Sequence, residues 1–113
     1  MSPRRAAPWA HDGVMEVRLL SFDGCPHSAV AEQRLRSALA IVGRGDEEIQ
    51  HVLVETPEDA ERLGFLGSPT ILVDGRDPFA SGDERPALAC RLFSTPDGRA
   101  GSPTVEQLVE VLS

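Results

Sequence analysis

Apolar residues come in short runs broken by glycine, proline and acidic residues, and their spacing shifts between strand-like and helical along the chain. Residues 14–22 hold Val17, Leu19, Leu20 and Phe22 in a mostly apolar run, as expected for a strand covered on both faces. Asp23-Gly24 breaks it. From Pro26 or His27 to Val42 the period becomes helical: Ala31, Leu35, Ala38, Leu39 and Val42 form one apolar stripe, with Gln33, Arg34 and Arg36 on other faces. Gly43 is a stop signal, and Pro26 suits a first turn, where its missing N–H costs nothing.

Residues 49–54 predict a second strand. Thr56-Pro57-Glu58-Asp59 then predicts a capped helix start, ending near Gly64. Gly67-Ser68-Pro69 leads into a third strand over 70–73, and Asp74-Gly75 begins a turn. Residues 76–86 predict a long loop, 88–93 a fourth strand, and Thr95-Pro96-Asp97-Gly98 a turn. Ser102-Pro103-Thr104 predicts the cap of a last helix carrying Val105, Leu108, Val109 and Leu112 at helical spacing. The order is β-α-β-α-β-β-α. The first β-α-β unit should cross over right-handed and give parallel strands. The last two strands should be antiparallel, which completes a four-stranded mixed sheet with helices on both faces. Residues 14–113 form one domain in this reading, and 1–13, Trp9 included, a short disordered arm.

At 113 residues there is room for one domain with a sizeable core. The net charge of −7 disfavours phosphate backbones and anionic lipids, so neither nucleic acid nor membrane is an expected partner. No apolar run approaches the ~20 residues of a membrane span, and no signal-peptide-like run follows Arg4 and Arg5. The expected compartment is the cytoplasm, where thiols stay reduced. Two cysteines in that setting point to free thiols or redox chemistry rather than a structural bridge. All 11 basic residues are Arg and there is no Lys, a mark of GC-rich coding.

Cys25-Pro26-His27-Ser28 falls where the first strand hands over to the first helix. Unpaired N–H groups and the positive end of a helix dipole favour a thiolate there, and a nearby imidazole adds to this. Ser68-Pro69-Thr70 precedes a strand, a reasonable place for a cis peptide. These two features, in this order on this topology, resemble the thioredoxin superfamily over roughly residues 14–112. The resemblance implies that Cys25 is the attacking cysteine, that Pro69 is the cis-proline lying against it, and that Pro26, Ser68, Pro69 and Thr70 line the substrate. Ser28 stands where a resolving cysteine would be, as in monothiol glutaredoxin-like members. The implied partner is therefore a thiol or disulfide substrate, with a low-molecular-weight thiol resolving the mixed disulfide. His27 is either a thiolate-tuning group or a solvent-side residue. No cofactor and no metal are expected: no Cys/His spacing suggests zinc, and no Gly-rich phosphate loop is present.

A second resemblance joins Leu88-Ala89-Cys90-Arg91-Leu92-Phe93 to Cys25. It is similar to the arrangement in bacterial organomercurial lyases, which use two distant cysteines and a carboxylate, or a serine in some members, three residues after the first. Cys25, Ser28 and Cys90 would match those roles, and two thiolates suit Hg(II). Against this, Cys90 in an apolar strand reads as a core residue. With Leu88 paired near Asp74 across a hairpin, it would fall opposite Leu72, too far from Cys25 for a disulfide. A third reading is a non-enzymatic binding module with an apolar groove beside Pro69. Asp23 is either a proton carrier or a turn residue, Arg91 an anion partner or a solvated one, and the Glu58, Asp59, Glu61 cluster a solvated face. Asp77-Pro78-Phe79 in the long loop has no role assigned.

Overall fold

The computed structural model describes residues 15–113; the arm expected over 1–13 lies outside them. The chain runs β1 (Val17–Ser21), α1 (Ser28–Ile41), β2 (Ile49–Leu53), α2 (Pro57–Leu63), β3 (Thr70–Val73), β4 (Phe93–Thr95), β5 (Gly98–Ala100) and α3 (Val105–Leu112). β1 is central. It pairs in parallel with β2, from Val17↔Ile49 to Ser21↔Leu53. On its other side it pairs antiparallel with β3, from Val17↔Val73 to Leu20↔Thr70.

The neighbours Leu19 and Leu20 point to opposite faces of β1 and belong to different apolar clusters. Leu19, Val17, Ile49 and Ile71 pack with Leu35, Ala38 and Leu39 of α1 and with Leu108 and Leu112 of α3. Leu20, Val54 and Leu72 pack with Ala60 of α2 and with Phe65. Helices thus cover both faces. Leu19, Leu20, Leu35, Leu39, Ile71 and Phe65 are fully buried, each worth about 1.5–3 kcal/mol of apolar transfer.

The helix ends follow their local chemistry. Thr56 caps α2 by accepting from the Asp59 N–H (3.0 Å), and Gly64 ends it in the left-handed conformation. Thr104 and Gln107 close a reciprocal capping box on α3.

The expected four-stranded mixed sheet does not form. The sheet has three strands in the order β2-β1-β3, and β4 and β5 make a separate two-stranded ribbon about the Pro96-Asp97 turn. Residues 88–92 are not a strand, and Phe93 opens β4 instead. The reason lies just after β3. Val73 and Arg76 exchange backbone hydrogen bonds (2.8 and 3.1 Å) around Asp74, which has a positive φ of 53°, and Gly75. The next hydrogen-bonded pair of that hairpin would be Ile71 with Pro78. Pro78 has no N–H to give, so the return strand stops. The chain comes back to the sheet only at 87–91, and there it runs alongside residues 65–68: Ala87 N–H donates to the Phe65 carbonyl (3.2 Å), Ser68 N–H to Ala89 (2.8 Å) and Arg91 N–H to Ser68 (3.0 Å).

Candidate functional site

The site is built at the carboxyl ends of β1 and β2. Beyond Ser21 the chain makes a tight turn in which the Cys25 N–H donates to the Phe22 carbonyl (3.3 Å). That bond satisfies the turn, and Asp23 is left exposed with no hydrogen-bond or ion-pair partner among the described residues. α1 starts at Ser28 with His27 as its N-cap, so Cys25 lies two residues ahead of the cap rather than inside the first helical turn. Pro26 is exposed in the intervening turn. The Ser28 hydroxyl donates to the Cys25 carbonyl (3.3 Å), so it braces the turn that carries the thiol. Cys25 is free and half-buried.

His27 does not stand solvent-side. It is half-buried, and a Cβ built on Gly101 would fall 2.4–2.6 Å from its ring atoms. The imidazole therefore lies against the bare backbone of Gly101, in the segment between β5 and α3. Only a residue without a side chain leaves room for it there.

The Ser68–Pro69 peptide is cis, as its place before β3 led us to expect. Ser68, Pro69 and Thr70 are all buried. The Phe22 N–H donates to Ser68 Oγ (3.4 Å), which ties this loop to the turn bearing Cys25. Thr70 closes the loop from within: its hydroxyl donates to the Gly67 carbonyl (2.6 Å) and accepts from the Leu66 N–H (3.2 Å).

Cys90 departs most from expectation. It is exposed and free, not a core residue, and it faces no residue of β3. It forms a parallel bridge with Ser68, one strand spacing of about 4.8 Å from the loop that Phe22 holds. The hairpin geometry that would set it opposite Leu72 does not exist. Both cysteines therefore flank elements that meet at Ser68: Cys25 through the Phe22 turn, Cys90 through the bridge.

What anchors the 87–91 segment is a buried ion pair. Arg91 and Asp77 meet in a two-pronged contact (2.5 and 3.3 Å), with side chains 6% and 7% exposed. The Arg91 guanidinium also lies 4.6 Å from the centroid of the Phe93 ring, and Phe79 packs edge-on against Phe93. The same Asp77 carboxylate accepts from the Phe79 N–H (2.9 Å). The Asp77-Pro78-Phe79 stretch is thus a clamp, and the anion that Arg91 pairs with is the buried Asp77 carboxylate, so Arg91 is not a solvated residue. The apolar run around it is inverted: Arg91 is buried while Leu88 and Leu92 are exposed. Sequence alone offered one weak signal, an arginine in the middle of an apolar run. Gly67 completes the fit, because a Cβ there would lie 2.9 Å from Arg91 Cβ.

Beside these elements opens a cleft of about 420 Å³ lined by Phe22, Asp23, Val54, Glu55 and Leu88. It sits at the ends of adjacent parallel strands, the usual place for a ligand on such a sheet. Nothing in the spacing of these five residues announced it.

The described residues therefore define a small α/β domain with a half-buried thiol at a strand–helix turn and a second thiol across a buried loop. Compared with known protein-family models, curated proteins and solved structures, the chain matches none. No helix among the described residues is long and apolar enough to cross a membrane.

Proposed function

We propose that the protein is a thiol-dependent redox protein that works through Cys25. The observation that carries this reading is the setting of that residue: a free, half-buried thiol in the turn before α1, tied through Phe22 to the Ser68 loop. The Cys25 thiolate attacks one sulfur of a disulfide. A Cys25–substrate disulfide forms, the substrate S–S bond breaks, and the other half leaves as a thiolate. Ser28 supplies no second thiol, so a low-molecular-weight thiol attacks the mixed disulfide and frees Cys25. Ser28 and the Ser68-Pro69-Thr70 loop hold the geometry, and Pro26 offers exposed surface at the turn. The test is reaction with hydroxyethyl disulfide followed by mass spectrometry. A mixed disulfide should form on Cys25, disappear on adding a small thiol, and fail to form on that peptide in Cys25→Ser. If Cys25 reacts with iodoacetamide no faster than a free cysteine at neutral pH, the proposal is wrong and a non-enzymatic binding role is the better reading.

One observation favours a second reading, mercury–thiol chemistry through Cys25 and Cys90. Cys90 is exposed and lies beside Ser68 rather than in the core. Two thiolates suit a soft ion such as Hg(II). Cys90→Ser separates the readings: it should spare disulfide exchange at Cys25 and cripple tight binding of Hg(II).

A further inference from the structure

We propose that the cleft beside Cys25 selects cationic disulfides and thiols as its partners; the inference rests on Cys25 being the exchanging thiol. The cleft has apolar walls from Phe22, Val54 and Leu88, and two carboxylates, Asp23 and Glu55. No basic residue lines it. Both carboxylates are exposed, and neither pairs with an arginine or histidine among the described residues. Glu16, Glu32, Glu47, Asp59 and Asp77 each have a cationic partner, whereas Glu58, Asp97 and Glu110, like Asp23 and Glu55, have none among the described residues. What distinguishes Asp23 and Glu55 is that their cleft adjoins the turn that carries Cys25. An unneutralised acidic pair on an apolar floor is complementary to a small molecule with an apolar body and an ammonium group. A volume of about 420 Å³ admits such a molecule.

The cleft and the thiol share one turn. Phe22 and Asp23 line the first, and the Phe22 carbonyl accepts from the N–H of Cys25. Leu88 belongs to the segment that brings Cys90 to Ser68. A disulfide held by its ammonium group at Asp23 and Glu55 is therefore concentrated next to the turn that carries Cys25. The step is the exchange already described, with no further reactant. Thiols and disulfides bearing carboxylates meet the opposite field, and the net charge of −7 adds to the repulsion.

The experiment compares three disulfides at low ionic strength: cystamine, hydroxyethyl disulfide and dithiodipropionic acid. Modification is read at the Cys25 peptide by mass spectrometry, and each rate is divided by that of a short unstructured cysteine peptide. The normalised preference for cystamine over dithiodipropionic acid should be roughly tenfold, the scale expected for local charge steering near a solvated site, and should shrink with added salt. The cleft variant Asp23→Asn/Glu55→Gln should reduce it to about two- to threefold. The distant variant Glu48→Gln/Glu110→Gln, which changes net charge equally, should leave it close to wild type. Equal effects of the two variants would overturn the proposal, because the preference would then belong to the whole surface. No exchange with any of the three disulfides would instead remove the role of Cys25 on which it rests.

Discussion

Gly67→Ala places a methyl group where the site is most tightly built. Gly67 has φ +128°, and its ideal Cβ would lie 2.9 Å from Arg91 Cβ and 3.2 Å from both the Ala89 carbonyl oxygen and Arg91 Cα. The close neighbours are backbone atoms and a Cβ, not the mobile end of a side chain, so relief requires moving the 89–91 segment. That segment is held by the Ser68–Ala89 and Arg91–Ser68 backbone bonds and by the Arg91–Asp77 pair. Backbone strain at such a φ costs about 1–3 kcal/mol, and overpacking a further 1–3 kcal/mol. A sum of about 2–6 kcal/mol is a large part of the roughly 5–15 kcal/mol that stabilises a typical domain. Gly64→Ala is the matched control. It also has positive φ, +69°, but no atom lies within 4 Å of its Cβ, so only a conformational cost of about 1–2 kcal/mol remains. With an unfolding entropy near 2.1 cal/mol/K per residue, each kcal/mol lowers Tm by about 4 °C in a chain of 113 residues. Urea unfolding with a shared m-value, together with thermal melts, measures both variants. Gly67→Ala should melt roughly 8–24 °C below wild type and Gly64→Ala about 4–8 °C below it. Alkylation of Cys90 should also change in the first variant only. Equal losses in the two variants would refute the close approach of residues 89–91 to Gly67.

Asp77→Asn and Arg91→Met should each cost about 3–5 kcal/mol by urea unfolding, since each leaves the other charge buried without its counter-ion; a well-packed apolar replacement of both should cost less than either alone. Gly101→Ala should cost about 1–3 kcal/mol by driving the His27 ring away, and in the double variant with His27→Ala most of that cost should vanish, which a double-mutant cycle reads directly. Glu32 is held below the usual glutamate pKa of 4.5, chiefly by its hydrogen bond to His51 and then by Arg36, against partial desolvation. Because the folded value is the lower one, its contribution is present above pH 4.5 and is lost as pH falls through the folded value. Glu32→Gln should therefore destabilise by less than about 1 kcal/mol near neutral pH, since the pair is solvent-screened, and match wild type in strong acid when both are followed by urea melts.

Much of the architecture is written in near-neighbour chemistry. The apolar run of β1, the helical stripe of α1, the Thr56 and Thr104 caps, the Gly64 stop and the strand 70–73 were all legible, because each depends on residues a few positions apart. The position of Cys25 before a helix and of Ser68-Pro69 before a strand was legible for the same reason. The course of residues 87–92 was not. An apolar run specifies burial only when a partner strand is there to receive it, and Pro78 withholds the hydrogen bond that would have extended the hairpin on β3. The run docks instead along residues 65–68, with Arg91 inward on Asp77, fourteen positions away, and Cys90 outward beside Ser68. His27 on Gly101 and the Asp23–Glu55 cleft likewise join residues distant in sequence. Such contacts carry no local period or cap. They exist because the packed sheet brings those backbones within a few ångströms, where one missing Cβ or one bidentate pair settles which side chain turns inward.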